Sequence, residues 1–362
     1  MDCIQTLDTS GARAVETFVV DGERYLVVPQ LAVDVPGQPA AMTLGNSDIE
    51  ALVFRWEQSA FTPCGTLPVP GGEDAEFFTL GGRKFLATAS LRTGKDPYSL
   101  RTDSTIFEWS EGRWAPFQSM PTVAAKQWRH FRIGERDFLA LAQGAAEADG
   151  GRDDERSCIF EWDGERFAFF QALPSAWGYN WCFFEVDGLP LLAHADHVVP
   201  STLWRWKGER FEPFQELEGR AGRAFCFVEA GGERWLAFAR LFSETLMLRW
   251  NGQRFEPAQV LSGPGGREFR WVPGWDGGRL VQVNFLQGSR EAPITRLQSL
   301  VHKLEDGRWQ VDQEFPTSGG TDAVAFEEDG GAIVLVVSES LAPEVRFRAP
   351  SRVYRIAKEE RP

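Results

Sequence analysis

Five residues at one recurring position carry side-chain oxygens of the hard kind that divalent cations prefer: Asp74, Gln127, Asn180, Glu268 and Asp322. Each stands four residues before an aromatic or Val that anchors a repeated apolar strand, and Ala14 and Ala224 hold the same position in two further copies. Two residues later the series reads Glu16, Glu76, Arg129, Cys182, Cys226, Arg270 and Val324. Residues two apart in a strand share a side, so both series face one way. Carboxylates among amide oxygens predict a calcium site on that side. The alternative is a hydrated, hydrogen-bonded ring with Arg129 and Arg270 as counter-charges. Asp74, Glu76, Glu268 and Asp322 also offer the paired carboxylates of hydrolysis, although nothing in the chain distinguishes an acid from a nucleophile among them. His194-Ala195-Asp196-His197 supplies two imidazoles three apart and an Asp, a fragment of a zinc site without a third ligand in view.

Other chemistry is missing from the chain. It has no G-x-S-x-G elbow, phosphate loop, H-E-x-x-H or G-x-G-x-x-G. The residues best suited to binding lie in longer segments. Segment 88–104 carries Arg92, Lys95, Asp96, Tyr98 and Arg101, and SAWGYNW contributes Trp177, Tyr179 and Asn180. Aromatics beside polar groups have the composition of interface hot spots, and equally that of packed loops. Tyr98, Arg101, Trp177, Tyr179 and Asn180 are the candidate binding residues.

These residues are positioned by a repeat. One hairpin phrase reads LVFRWEQSAFTP at 52–63, IFEWSEGRWAPFQ at 106–118 and IFEWDGERFAFFQ at 159–171. It returns as LWRWKGERFEPFQ at 203–215 and LMLRWNGQRFEPAQ at 246–259, with a period of about 44–54 residues. A second phrase alternates with it: an aromatic or Val, a glycine turn and an apolar strand, from FVVDGERYLVV at Phe18 to FEEDGGAIVLVV at Phe326. The D-G, G-G and G-E pairs between apolar runs are hairpin signals. The second phrase occurs seven times. Degenerate copies of the first, centred on Leu304 and Ile356, complete its set, and Cys3-Ile4-Gln5 supplies the half missing after Ile356.

The expected fold is therefore all-β. Seven four-stranded antiparallel blades form a single β-propeller over 1–362, and the N-terminal strand completes the last blade. Trp56, Trp109, Trp162, Trp206 and Trp250 then pack between blades. Strands A to D of each blade alternate in direction, so the tight A–B and C–D turns share one face. The unequal D–A and B–C connections share the other: 29–51, 88–104, 143–157, 287–298 and 338–351. Variable loops on one face of a repeat array mark its binding side.

The pattern S-x-I-F-x-W-x-G-x-F-x-P-F-Q-x-x-P-T, then F-x-I-D-G-x-x-F-L-A-x-A, resembles the epitempin or epilepsy-associated repeat (EPTP/EAR). Its best copy runs from Ser104 as STIFEWSEGRWAPFQSMPTVAAKQWRHFRIGERDFLALA. The resemblance covers nearly the whole chain. It implies a seven-bladed propeller used in protein recognition, an axial ion in some members, and an extracellular setting for the animal ones. The sequence departs from those members in showing no signal peptide, leucine-rich segment or obvious disulfide.

Charge and cysteines bound the rest. A formal charge of −14 disfavours nucleic acid, which is held by cations replacing counterions. No run of 18 apolar residues predicts a membrane span. Five Cys without a C-x-x-C suit a reducing compartment, so a cytoplasmic location is expected, with an extracellular one as the alternative from the resemblance. The expectation is a monomeric, non-catalytic scaffold recognising a protein partner through the loop face and axial mouth, with calcium possible in the channel. The alternatives are a carbohydrate-binding propeller and a channel-face hydrolase.

Overall fold

A computed structural model describes residues 1–146, 156–289 and 292–357. Its framework is seven four-stranded antiparallel sheets, and no helix is long and apolar enough to cross a membrane among the described residues. Blade 1 comprises Glu16–Val20, Glu23–Val28, Ala51–Glu57 and Ala60–Leu67 as strands A to D. Blade 4, typical of the others, comprises Gly178–Val186, Leu189–Asp196, Ser201–Trp206 and Phe211–Leu217. Blade 7 takes A, B and C from Gly320–Glu327, Ile333–Glu339 and Ser351–Ile356, and D from Asp2–Leu7. Cys3 pairs with Tyr354 and Leu7 with Ser351, so the chain's first strand closes the ring as the sequence predicts.

The repeated tryptophans fill the gaps between sheets. Trp56 meets Phe326 of blade 7 at 5.2 Å, Trp162 meets Phe85 of blade 2 at 5.8 Å, and Trp206 meets Phe138 of blade 3 at 5.5 Å. Each reaches back to the preceding blade. The indoles of Trp109 and Trp250 also donate to Asp21 and Asp187 in the turns of the blades before them.

The PFQ glutamine has a specific job. Gln118 donates to the carbonyl of Phe167 at 2.8 Å and accepts from its N–H at 3.0 Å, so it pairs both backbone groups of the next blade's strand D. Gln5 does this to Phe61, Gln171 to Phe211, Gln215 to Phe255 and Gln259 to Trp309. An outer belt of two-point clasps thus runs round the ring. It breaks between blades 1 and 2, where the equivalent residue is Gly65, and, among the described residues, between blades 6 and 7, where Gln313 makes no such pair.

Strand A enters at the axis through a small residue. Ala12, Gly72, Ala125, Gly178, Gly222, Gly266 and Gly320 hold one position. At Gly320 a Cβ would stand 2.7 Å from Val283 and 2.9 Å from the carbonyl of Asn284, so the neighbouring blade leaves no room for a side chain. In five blades the register of strand A slips directly after this glycine, at Gly72/Asp74, Gly178/Asn180, Gly222/Ala224, Gly266/Glu268 and Gly320/Asp322. The skipped residue of such a bulge is unpaired and its side chain is re-aimed.

Candidate functional site

The seven A strands surround an axial cavity of about 400 Å³. Asp74, Gln127, Asn180, Glu268 and Asp322 all line it, as their shared position predicts. Each commits an oxygen to a backbone N–H. Asp74 accepts the N–H of Trp128 at 2.8 Å, Gln127 that of Trp181 at 2.6 Å, Asn180 that of Phe225 at 3.0 Å, and Asp322 that of Val15 at 3.0 Å. Each donor is the residue after the equivalent position in the next blade, so these side chains form an inner belt of inter-blade clasps. Ala224 cannot reach Phe269, whose N–H is taken by its own neighbour Glu268 at 3.0 Å. Asp322 similarly caps Ala323 at 2.7 Å.

These residues do not fit a calcium shell as they stand. Calcium needs six to eight converging oxygens, whereas these are spread round the ring, each turned to a backbone N–H. Among the described residues no three Asp, Glu, His or Cys side chains gather in a way that could hold a metal ion. The His194–His197 segment fails the same test. His194 lies on the Trp181 ring, 4.0 Å between centroids. The Asp196 carboxylate accepts four backbone N–H groups, from Ala176, Trp177, Val198 and Val199.

The next tier along the channel extends the pattern. Glu76 accepts from the N–H of His130 at 2.9 Å and pairs with Arg129 at 3.1 Å, and Arg270 donates to the carbonyl of Ala323 at 2.9 Å. Burial, then repulsion from Glu76, pushes Glu16 up to about 8. Burial, then Asp322, pushes Glu268 up to about 8. Burial lifts Asp74 and Asp322 as well. Glu16 and Glu268 therefore keep their protons near neutral pH, unlike nucleophilic carboxylates.

The mouth of the cavity on the loop face carries the opposite charge. Its residues directly precede the clasp position. Arg13, Glu73, Lys126, Tyr179 and Arg267 line the mouth, with Thr321 in the last blade, and Arg223, at the same position in blade 5, lies over the Tyr179 ring. Glu73, Tyr179, Arg223, Arg267 and Thr321 are the bulge residues. Sequence reading by strand alternation passes over them, because a bulge turns a side chain that alternation sends elsewhere. The signal for them is the small residue before each, a G-x or A-x at the start of every strand A.

The predicted binding residues fall into two groups. The Tyr98 hydroxyl donates to Gly45 at 2.6 Å, and its ring stacks under Arg92 at 4.1 Å. Arg92 in turn donates to Ser47, Thr43 and Leu44. Segments 29–51 and 88–104 are thereby stapled together across blades 1 and 2, and Arg101 stands exposed beside them. Trp177, Tyr179 and Asn180 sit at blade 4 instead. The Trp177 and Tyr179 rings are 6.3 Å apart, His197 lies 5.1 Å from Trp177, and Phe242 lies 5.8 Å from His197. Phe242 is 57% exposed, so an aromatic track runs from the axis to the open loop face. Loop 143–157 lies mostly outside the described residues, and residues 290 and 291 of loop 287–298 do too.

Comparison with known proteins agrees with the repeat. Residues 4–57, 113–163 and 210–251 match the EPTP domain family. A human thrombospondin-type laminin G domain and EAR repeat-containing protein is 33% identical over 115 residues, 31% of this chain and 15% of its own length. The mouse protein of that name is 32% identical over 124 residues, covering 34% and 17%. The leucine-rich repeat LGI family member 3 of Macaca fascicularis is 27% identical over 132 residues, covering 35% and 22%. The chain thus spans less than a quarter of each relative's length.

Proposed function

As a propeller built of EPTP-family repeats, this chain is, we propose, a non-catalytic scaffold that recognises a protein partner through its loop face and axial mouth. The observation that carries the reading is the aromatic track from Tyr179 through Trp177 and His197 to exposed Phe242. A large exposed ring backed by a packed cluster, beside charged groups, suits a protein hot spot. Repeated sugar pockets would call for similar aromatics in several blades, and this track is confined to blades 4 and 5. Channel hydrolysis gains little support, since the axial carboxyls are turned to backbone N–H groups. We take the scaffold to act as a monomer and, with its charge of −14, not on nucleic acid. The five unpaired thiols suit a cytoplasmic setting. The resemblance implies the extracellular alternative, which the laminin G and leucine-rich relatives favour.

Photo-crosslinking tests the reading. A crosslinker at position 242 is expected to trap a discrete protein from the native source, while one at Val311 on an outer strand does not. Phe242→Asp is expected to weaken capture by at least about tenfold. Reproducible elution of a glycan with no protein partner would overturn the proposal.

A further inference from the structure

Among the described residues five cations and six carboxyls line the axis, but they are segregated along it. Glu16, Asp74, Glu76, Glu268 and Asp322 belong to the clasp tiers, with Arg129 and Arg270. At the mouth, Arg13, Lys126 and Arg267 line the cavity with one carboxylate, Glu73, at their own level. Arg223 adjoins them at the Tyr179 ring, and Arg267 also feels Glu268 and Asp322 in the tier below. These cations are buried, with Lys126 5%, Arg223 4% and Arg267 6% exposed. Three of them crowd one ring: Arg223 lies 3.9 Å, Arg267 5.2 Å and the Lys126 ammonium 5.6 Å from the Tyr179 centroid.

Glu73 gives Oε1 to Arg13, at 3.0 and 3.1 Å, while its buried Oε2 makes no hydrogen bond and stands 3.9 Å from Arg267, too far to pair closely with it. The Arg267 guanidinium, more than nine-tenths buried and lining the cavity, makes no hydrogen bond among the described residues. Lys126 donates only to the carbonyl of Ala124, at 3.2 Å. Arg223 uses one nitrogen on His197 and the carbonyl of Gly222. The other buried carboxyls close by, Asp196 beside Arg223 and Glu268 and Asp322 below Arg267, accept backbone N–H groups. Buried like charges with open donors are costly unless an opposite charge joins them.

We propose that the loop-face mouth of the channel is an oxyanion site, in which Arg267, Lys126 and Arg223 bind a carboxylate or phosphate group over the Tyr179 ring. Arginine forks suit either group, and Lys126 adds a point charge. The cavity has room for a small free anion or for an acidic group carried by a docked partner. The acidity of Lys126 fits this arrangement. Burial first, with Arg13, Arg267 and Arg223 adding to it and Glu73 opposing, brings Lys126 down to about 7. His197, Trp177 and Tyr179 complete its surroundings. An anion there favours the ammonium form, so binding near neutral pH draws in a proton.

Calorimetric titration of the full chain decides the matter, with inorganic phosphate, citrate and an end-capped triglutamate peptide as probes, and chloride at matched ionic strength as control. Saturable binding of phosphate or citrate identifies a free anion, and binding of triglutamate alone identifies a partner-borne one. Either is expected to weaken by at least about tenfold in Arg267→Gln. It is also expected to take up protons near pH 7, in a way that Lys126→Gln abolishes. Phe242→Asp leaves the anion titration unchanged, which separates this site from the partner surface. Absence of saturable binding of all three probes to the parent chain overturns the proposal, whatever the variants do. So does an unaltered affinity in a folded Arg267→Gln.

Discussion

A buried carboxyl titrates where its surroundings put it, and Glu268 shows the consequence. In the unfolded chain it releases its proton near 4.5; in the fold, burial and Asp322 hold the proton up to about 8, against Arg267 and Arg129. Between those values the folded state binds more protons than the unfolded one, so the stability it contributes falls as pH rises. Glu268→Gln keeps an oxygen for the N–H of Phe269 but cannot titrate. Urea unfolding of both proteins at about pH 5 and about pH 8 should therefore show the parent losing stability relative to the variant at the higher pH. A gap that stays constant, or moves the other way, contradicts the assignment. At this scale the sequence yielded location without role. Asp74, Asn180 and Asp322 were legible as a ring at the axis. Their chemistry was not, because an oxygen that can hold a cation can equally accept an N–H. Which it does depends on how closely the next blade approaches.

At the scale of the strand, the two belts explain why the repeat phrase has its shape. W-x-G builds the C–D hairpin and sends an indole back to the preceding blade, while the terminal Gln reaches forward. Both were legible because turn chemistry and period are local properties. The forward clasp was not, since it joins residues 40 or more positions apart, as Gln215 does with Phe255. Gln215→Leu leaves the N–H and carbonyl of Phe255 without their side-chain partner. The expected loss is about 2 kcal/mol, measured by denaturant unfolding. A value within error of zero means that water replaces the clasp freely. The mouth cations were hidden for another reason. Alternation is a rule of regular strands, and residues such as Arg223 and Arg267 occupy the one place in strand A where regularity lapses.

For the whole molecule, the seven-fold count and the split last blade were the most secure reading, because each depends on summing many weak copies. Closure is a joint of two parts. Asp2–Leu7 pairs with Ser351–Ile356, and Gln5 clasps Phe61 of blade 1. Removing residues 1–7 leaves an open sheet edge on blade 7 and breaks the outer belt there. The truncated chain should unfold with a shallower denaturant slope and elute as larger species in size-exclusion chromatography. A sharp transition and unchanged elution would mean that the remaining contacts suffice to hold the ring.

The junction of blades 1 and 2 has a less obvious implication. Gly65 and Ala14 leave it without a clasp at either of those two positions, Glu16 accepting from the N–H of Phe77 only at 3.4 Å, and the Arg92–Tyr98 staple lies directly across it. Those loops are therefore tied to heredity differently from the others. Among descendants of this chain, Arg92 and Tyr98 should be slow to change while position 65 remains Gly. A Gln arising there, in a strand position with open space around its Cβ, would release both loops to diverge. The missing clasp thus makes one point of the ring a place where the order of mutations matters.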